Sequence, residues 1–266
     1  MNTTETGVRI LEGLGVLVTR AVHQADHLCG LIEAQGGRVF RLPVLEIVPT
    51  GDSTAHADVR KRLPEYDLAI FVSANAVRMA FPALVPLSEW PRELKLAAIG
   101  KQTATALNDR GLNVDIVPKM QFTSEALLAA EDMRHVAGKH ILIVRGEGGR
   151  EFLATELTER GAEVEYAEVY RRVLPAVDTR MIVDAWAQGR IDAVAVASRE
   201  SLEHLHRLLD KTGQQLLANT LLVVGNRRSA ERAVELGYAR VIIADDASDE
   251  AMVKALKQWA LSDQPE

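Results

Sequence analysis

Hydroxyls, glycines and arginines recur in this sequence at one kind of position, directly after a short apolar run. The junctions read Thr19-Arg20, Ser73-Ala74-Asn75, Gly100-Lys101-Gln102-Thr103, Arg145-Gly146-Glu147-Gly148-Gly149-Arg150, Ser198-Arg199 and Gly225-Asn226-Arg227-Arg228-Ser229. Backbone N–H groups at the start of a helix attract anions, and a guanidinium grips a carboxylate with paired donors. In a chain of net charge -6, arginines gathered at such junctions point to a ligand bearing several carboxylates or phosphates. The candidate contacts are Arg20, Ser73, Asn75, Thr103, Arg145, Gly146, Arg150, Ser198, Arg199 and Ser229. Taken singly, each serine or threonine reads equally as an ordinary helix N-cap; the ligand reading rests on the set.

The glycine-rich stretch 145–150 lacks the GxxxxGK[ST] pattern, the GxGxxG spacing and a suitably placed lysine, so it is not a nucleotide loop. Its arginines suit carboxylates, or else it is a glycine-rich turn with solvated cations. Tyr170, in Glu168-Val-Tyr-Arg-Arg172, differs in kind: it is placed either to donate a proton to a departing hydroxyl or to pack across a strand. The seven histidines include no HExxH and no cysteine partner, so no metal is expected. No GxSxG elbow or kinase signature occurs.

Something must hold these junctions along one edge, and the pattern between them says what. Short aliphatic runs at 15–19, 68–72, 96–99, 114–117, 140–145, 193–197, 221–224 and 241–243 alternate with amphipathic segments of helical spacing. This is an α/β pattern, and runs apolar throughout fit parallel strands covered on both faces. The punctuation also repeats at a shift of 125: Arg20 with Arg145, Gly36 with Gly161, Asp67 with Asp192, Ser73 with Ser198, Gly100 with Gly225, Glu125 with Glu250. One structural unit is used twice, giving two similar parallel-sheet lobes of Rossmann/flavodoxin-like type.

Two stretches at near-equivalent positions, 38–49 and 163–175, alternate polar with apolar, as extended chain with one wet face does. A two-stranded antiparallel β-ladder joining the lobes accounts for both. The chain then crosses at each ladder strand: 1–37 plus 176–266 form a discontinuous lobe 1, 51–162 form lobe 2, and 38–50 with 163–175 form the linker. The alternative is a plain boundary near 130, with each repeat its own domain.

With 266 residues and 47% apolar composition, two cores are affordable. Thirty-one basic against 37 acidic residues argue against nucleic-acid and membrane-surface binding. No run reaches membrane-spanning length, no signal-peptide pattern opens the chain, and Cys29 stands alone, so a cytoplasmic protein is expected.

The segments 17–20, 66–77, 98–104, 124–128, 142–150, 161–164 and 169–172, in their order and spacing, strongly resemble the uroporphyrinogen-III synthase family over nearly the whole chain. The resemblance implies a bilobed α/β fold with a ladder between the lobes, and a monomeric, cofactor-free cytosolic enzyme of tetrapyrrole biosynthesis. Its substrate would be hydroxymethylbilane, a small polycarboxylate closed to uroporphyrinogen III with loss of water and inversion of the terminal ring. A transient contact with the preceding pathway enzyme would follow. Tyr170 falls on the family tyrosine associated with hydroxyl departure, Thr103 on its glycine-threonine turn, and Ser73 and Ser198 on its paired serines. Asn226-Arg-Arg-Ser229 departs from the glycine-threonine pattern, and Asn75 stands where relatives can carry a base. The alternatives of another class are a non-catalytic bilobed binding protein for a small polyanion and a response-regulator-like or nucleotide-binding module; the latter lacks clustered acidic residues after a first strand and a good phosphate loop.

Overall fold

The apolar runs become strands whose successive side chains enter two different cores. The computed structural model describes residues 9–51, 53–119 and 122–262. In chain order these form β1 (Gly15–Val18), α1 (Ala25–Ala34), β2 (Arg38–Arg41), β3 (Glu46–Pro49), α2 (Ser53–Arg62), β4 (Leu68–Phe71), α3 (Ala74–Ala83), β5 (Lys95–Ala98), α4 (Lys101–Asn108), α5 (Ser124–Leu128) and β6 (His140–Gly146). There follow α6 (Phe152–Glu159), β7 (Glu163–Val173), α7 (Arg180–Ala187), β8 (Ala193–Val196), α8 (Arg199–Leu208), α9 (Lys211–Asn219), β9 (Leu221–Val224), α10 (Arg227–Glu235), β10 (Val241–Ile243) and α11 (Asp249–Ser262). No helix among the described residues is long and apolar enough to cross a membrane.

The chain divides into two units, Met1–Glu46 with Val173–Glu266, and Ile47–Arg172. Among the described residues the first holds a five-stranded sheet of order β10-β9-β8-β1-β2, its strands paired in parallel. Val16 and Val18 face the core under α1 and α11; Leu17, between them, faces the core under α7 to α10. The second sheet has the order β3-β7-β6-β4-β5, with β7, β6, β4 and β5 parallel. Ala69 and Phe71 point into the core with α3 and α4, and Leu68 and Ile70 into the core with α5 and α6. Burial on both faces is why these runs carry no polar alternation.

Each sheet mixes the two copies of the duplication. β1 of the first copy pairs with β8 of the second, and β4 and β3 of the first pair with β6 and β7 of the second. Helix ends repeat as well: Gly36 (φ 85°) and Gly161 (φ 87°) both stop a helix in the left-handed conformation that glycine adopts without strain.

Two expectations about strands are corrected. The run 114–117, counterpart of β10, forms no strand, only an isolated bridge between Ala97 and Ile116. Asp115 takes the Leu96 N–H with its side chain at 2.7 Å, and Pro118 has no N–H to continue a ladder. The stretch 38–49 is two strands rather than one: β2 lies at one sheet's edge and β3 beside β7 in the other. Pro43 lies between them, and the chain there runs on past β1, Leu42 and Val44 donating to the Val18 and Thr19 carbonyls at 3.0 and 3.3 Å.

Candidate active site

In the second unit three junctions meet at the C-terminal ends of the strands, where open parallel sheets bind ligands. β4 delivers Ser73, β6 delivers the 145–150 loop, and β7 delivers Tyr170. A pocket of about 240 Å³ opens there, its wall including Arg145, Gly146, Arg150, Tyr166, Tyr170 and Arg172.

Tyr170 owes its place to a slip in pairing. β6 and β7 run in register from His140 opposite Glu163 to Arg145 opposite Glu168, and then Gly146 stands opposite Tyr170, skipping Val169. Such a bulge re-aims the side chain that follows it. The ring then lies directly on Gly146, where a Cβ would fall 2.5 Å from ring atoms Cε2 and Cζ. Only glycine leaves that space. Tyr170 is 1% exposed, and its hydroxyl lies 3.2 Å from Ser73 Oγ and 3.4 Å from the Arg172 Nη2 that donates to it. The Arg172 guanidinium also sits 5.6 Å from the ring centre. Ser73 in turn caps α3, accepting the Ala76 N–H at 3.1 Å.

Arg145 is not held out to solvent. Its side chain is 6% exposed and folds over its own loop. It donates to the Gly146 and Gly148 carbonyls, pairs with Glu151 at 3.2 Å and Glu168 at 3.8 Å, and lies 4.5 Å from the Tyr166 ring centre. Tyr166 donates to Glu151 at 2.6 Å. That hydrogen bond, with Arg145 nearby, holds the Glu151 carboxyl below its ordinary range, whereas burial and the same bond push the Tyr166 phenol up to about 12. Arg150 pairs with Glu125 at 2.7 Å, and a backbone hydrogen bond, with Arg150 second to it, lowers that carboxyl too.

The remaining junction residues lie outside this cluster. Asn75 accepts from Arg78, and Thr103 is buried in the first turn of α4; neither lines the pocket. In the first unit, Arg20 pairs with Asp249 and donates to the Ala247 carbonyl, both at 2.6 Å. Ser198 caps α8 through the Ser201 N–H, and Arg199 pairs with Glu203 at 3.1 Å. Ser229 is 0% exposed, its hydroxyl donating to Asn226, the cap of α10. Thus Ser73 and Ser198 serve as helix caps, whereas Ser229 lies inside the first turn of α10, and Arg20, Arg145, Arg150 and Arg199 hold acidic groups of this same chain.

Sequence reasoning left out Arg172, Tyr166, Glu151 and Glu168. The signal for the first two was present in the spacing Tyr166, Tyr170, Arg172 on one strand; the skipped residue that turns Tyr170 was not visible.

Fold and site together define a duplicated, parallel α/β protein with a cationic, tyrosine-bearing pocket at the C-terminal strand edge of one unit. The chain belongs to the uroporphyrinogen-III synthase family: the family model Uroporphyrinogen-III synthase HemD matches residues 26–254. The uroporphyrinogen-III synthase of Escherichia coli (strain K12) is 34% identical over 247 residues, covering 92% of this chain and 100% of that one. The Salmonella typhimurium enzyme is likewise 34% identical over 248 residues, covering 92% and 100%. Solved structures share the fold: uroporphyrinogen-III synthetase from Helicobacter pylori has a TM-score of 0.64 at 17% identity, covering 94% of this chain and 100% of that chain. A mutant uroporphyrinogen III synthase from Thermus thermophilus has a TM-score of 0.58 at 20% identity, with the same coverage.

Proposed function

We propose that this chain cyclises linear hydroxymethylbilane to uroporphyrinogen III, with loss of water and inversion of the terminal pyrrole ring. The observation that carries the reading is the Tyr170 hydroxyl, held by Ser73 and Arg172 in the wall of a pocket that also bears Arg145 and Arg150. A phenol there protonates the departing hydroxyl, and the cationic wall suits the carboxylates on every ring of the substrate. Orienting the flexible bilane so that inverting closure outruns spontaneous closure is the larger task, and orientation can contribute about 7 kcal/mol or more.

Of the proposed substrate contacts, Ser73, Gly146 and Arg150 cluster about the proposed catalytic Tyr170; Arg20, Asn75, Thr103, Ser198, Arg199 and Ser229 mark the helix starts that would meet other carboxylates. Arg145 serves the pocket by shaping its loop. The enzyme works without a cofactor, as a monomer in the cytoplasm, with 1–37 plus 176–266 and 51–162 as its lobes and the 38–50 and 163–175 segments carrying the chain from one to the other. A transient contact with the preceding enzyme supplies its labile substrate.

To test this, hydroxymethylbilane is generated in situ with and without the protein, and the oxidised porphyrin isomers are resolved. Isomer III is expected only with the protein. Isomer I alone in both tubes would overturn the proposal.

A further inference from the structure

Among the described residues the Tyr170 hydroxyl has two hydrogen-bond partners, Ser73 Oγ at 3.2 Å and Arg172 Nη2 at 3.4 Å. The Ser73–Tyr170 hydrogen bond can run either way, the Arg172 bond only one. Arginine can only donate. Ser73 Oγ already accepts the Ala76 N–H at 3.1 Å, so its own proton is left to place.

The duplication supplies an internal comparison. Ser198, 125 positions on, caps its helix in the same way, accepting the Ser201 N–H at 3.1 Å, but its Oγ also pairs with Ser201 Oγ at 2.9 Å. The position equivalent to Ser201 is Ala76, which offers no hydroxyl, so Ser73 pairs with Tyr170 instead. The positions equivalent to Tyr170 and Arg172 are Leu45 and Ile47, so the first copy repeats neither the phenol nor the guanidinium.

We infer that Ser73 and Arg172 are positioning residues: together they form a two-donor cradle for the Tyr170 oxygen and leave the phenol proton aimed at the pocket. The inference rests on the proposed dehydration. In that step the Tyr170 proton moves to the substrate's hydroxymethyl oxygen, the C–O bond breaks with its electron pair leaving on oxygen as water, and the pyrrole nitrogen's electrons fill the methylene carbon. The phenolate left behind accepts from Ser73 and Arg172, donors already in place where the charge develops. When the inverted ring closes, the proton shed by the terminal ring's previously unsubstituted α-carbon returns to Tyr170, and the protein is unchanged.

The test is a double-mutant cycle on initial rates of isomer III formation. Ser73→Ala and Arg172→Met are each expected to lower kcat by about tenfold or more with little change in KM, as loss of support for a general acid should. Arg172→Lys and Ser73→Thr, which keep a donor, are expected to recover part of that loss. In a Tyr170→Phe background neither Ser73→Ala nor Arg172→Met is expected to lower kcat further, because both act through the phenol. Losses that persist in the Tyr170→Phe background, or a rise in KM alone, would overturn the cradle and make Arg172 a contact for a substrate carboxylate. A kcat untouched by Tyr170→Phe, with isomer III still formed, would overturn the cradle while leaving the cyclisation standing; absence of isomer III from the unmodified protein would remove both. Thermal melts accompany each variant, and if Ser73→Ala loses its helix cap and fails to fold, the Arg172 arm decides alone.

Discussion

Asp67 and Asp192 stand 125 positions apart and do the same work with exchanged partners. Asp192 Oδ2 accepts the Gly15 N–H at 2.7 Å, and Asp67 Oδ2 accepts the His140 N–H at 2.8 Å. Gly15 and His140 are themselves 125 apart, so each aspartate binds the strand start of the opposite copy. The main chain reciprocates: Asp192 N–H donates to the Gly15 carbonyl at 2.8 Å and Asp67 N–H to the His140 carbonyl at 2.9 Å. Each sheet is tied between two of its interior strands by the same clasp, made from halves of two repeats.

Each clasp satisfies a main-chain donor that begins a buried strand. Asp67→Ala and Asp192→Ala are therefore each expected to lower unfolding stability by about 1–2 kcal/mol. The Asn replacements, which keep an acceptor oxygen, should lose less. Urea denaturation of the four variants measures this; midpoints for the Ala variants equal to the parent's would reject the clasp.

Gly146 sets how close Tyr170 comes to the loop. An added methyl would meet Cε2 and Cζ of the ring at 2.5 Å, so Gly146→Ala must displace the phenol from Ser73 and Arg172. The expected result is a marked fall in isomer III turnover and a stability loss of about 1–3 kcal/mol from overpacking. Gly30 makes the contrast: it lies in α1 with nothing within 4 Å of where its Cβ would be. Gly30→Ala is expected to raise stability by about 0.5–1 kcal/mol, because the helix interior no longer carries glycine's extra entropy. A Gly146→Ala enzyme as active as its parent would show that the ring position is not set by this contact.

The two sheets were readable in the sequence because Val16, Leu17 and Val18, or Leu68 through Phe71, are apolar at every position, which only burial on both faces explains. The helix starts were readable for the same physical reason that Ser73 and Ser198 cap them. The actual use of the arginines was not. Whether Arg145 faces solvent or folds onto Gly148 depends on Glu151 and Glu168, which come from different elements, and no local pattern records that meeting. The placement of Tyr170 escaped as well, since a single skipped residue in the β6–β7 register reverses which side chain opposes Gly146. The alternation at 38–49 signalled extended chain correctly but not its division at Pro43 between two sheets.

Glu165 gives the second unit a pH-sensitive tie. It accepts from Arg62 and from the Tyr66 hydroxyl, both at 2.5 Å, fastening β7 to the end of α2 and the start of β4. Burial alone would push its carboxyl up, but the two hydrogen bonds outweigh it and hold it below the ordinary range. Burial and the bond to Glu165 push the Tyr66 phenol upward. A carboxyl depressed by folding contributes stability that is complete above the ordinary value of about 4.3 and is lost as pH falls through its folded value. Glu165→Gln is therefore expected to be less stable than the parent at pH 7, with the gap closing below about pH 4. Denaturant midpoints at pH 7 and pH 3 decide it; a gap independent of pH would reject the linkage.

Arg145 carries the last prediction, because its position and its surroundings suggest opposite roles. A guanidinium at the end of β6 is where an anionic substrate would be met, yet this one is 6% exposed and already holds two carboxylates, a tyrosine ring and two carbonyls of its own loop. Removing it would leave the Gly146 and Gly148 carbonyls without their donor, and Glu151 and Glu168 facing each other across the gap. Arg145→Ala is accordingly expected to lower stability by about 2 kcal/mol and to speed hydrogen exchange in the 146–151 segment, with lost activity following from the loosened loop. Arg150→Ala, which removes an arginine 69% exposed and paired with Glu125 at 2.7 Å, is expected to leave stability and exchange nearly unchanged and to raise KM. If instead Arg145→Ala keeps its stability and its exchange pattern and raises KM alone, then this side chain leaves its loop to meet substrate, and the shaping role passes to the glycines.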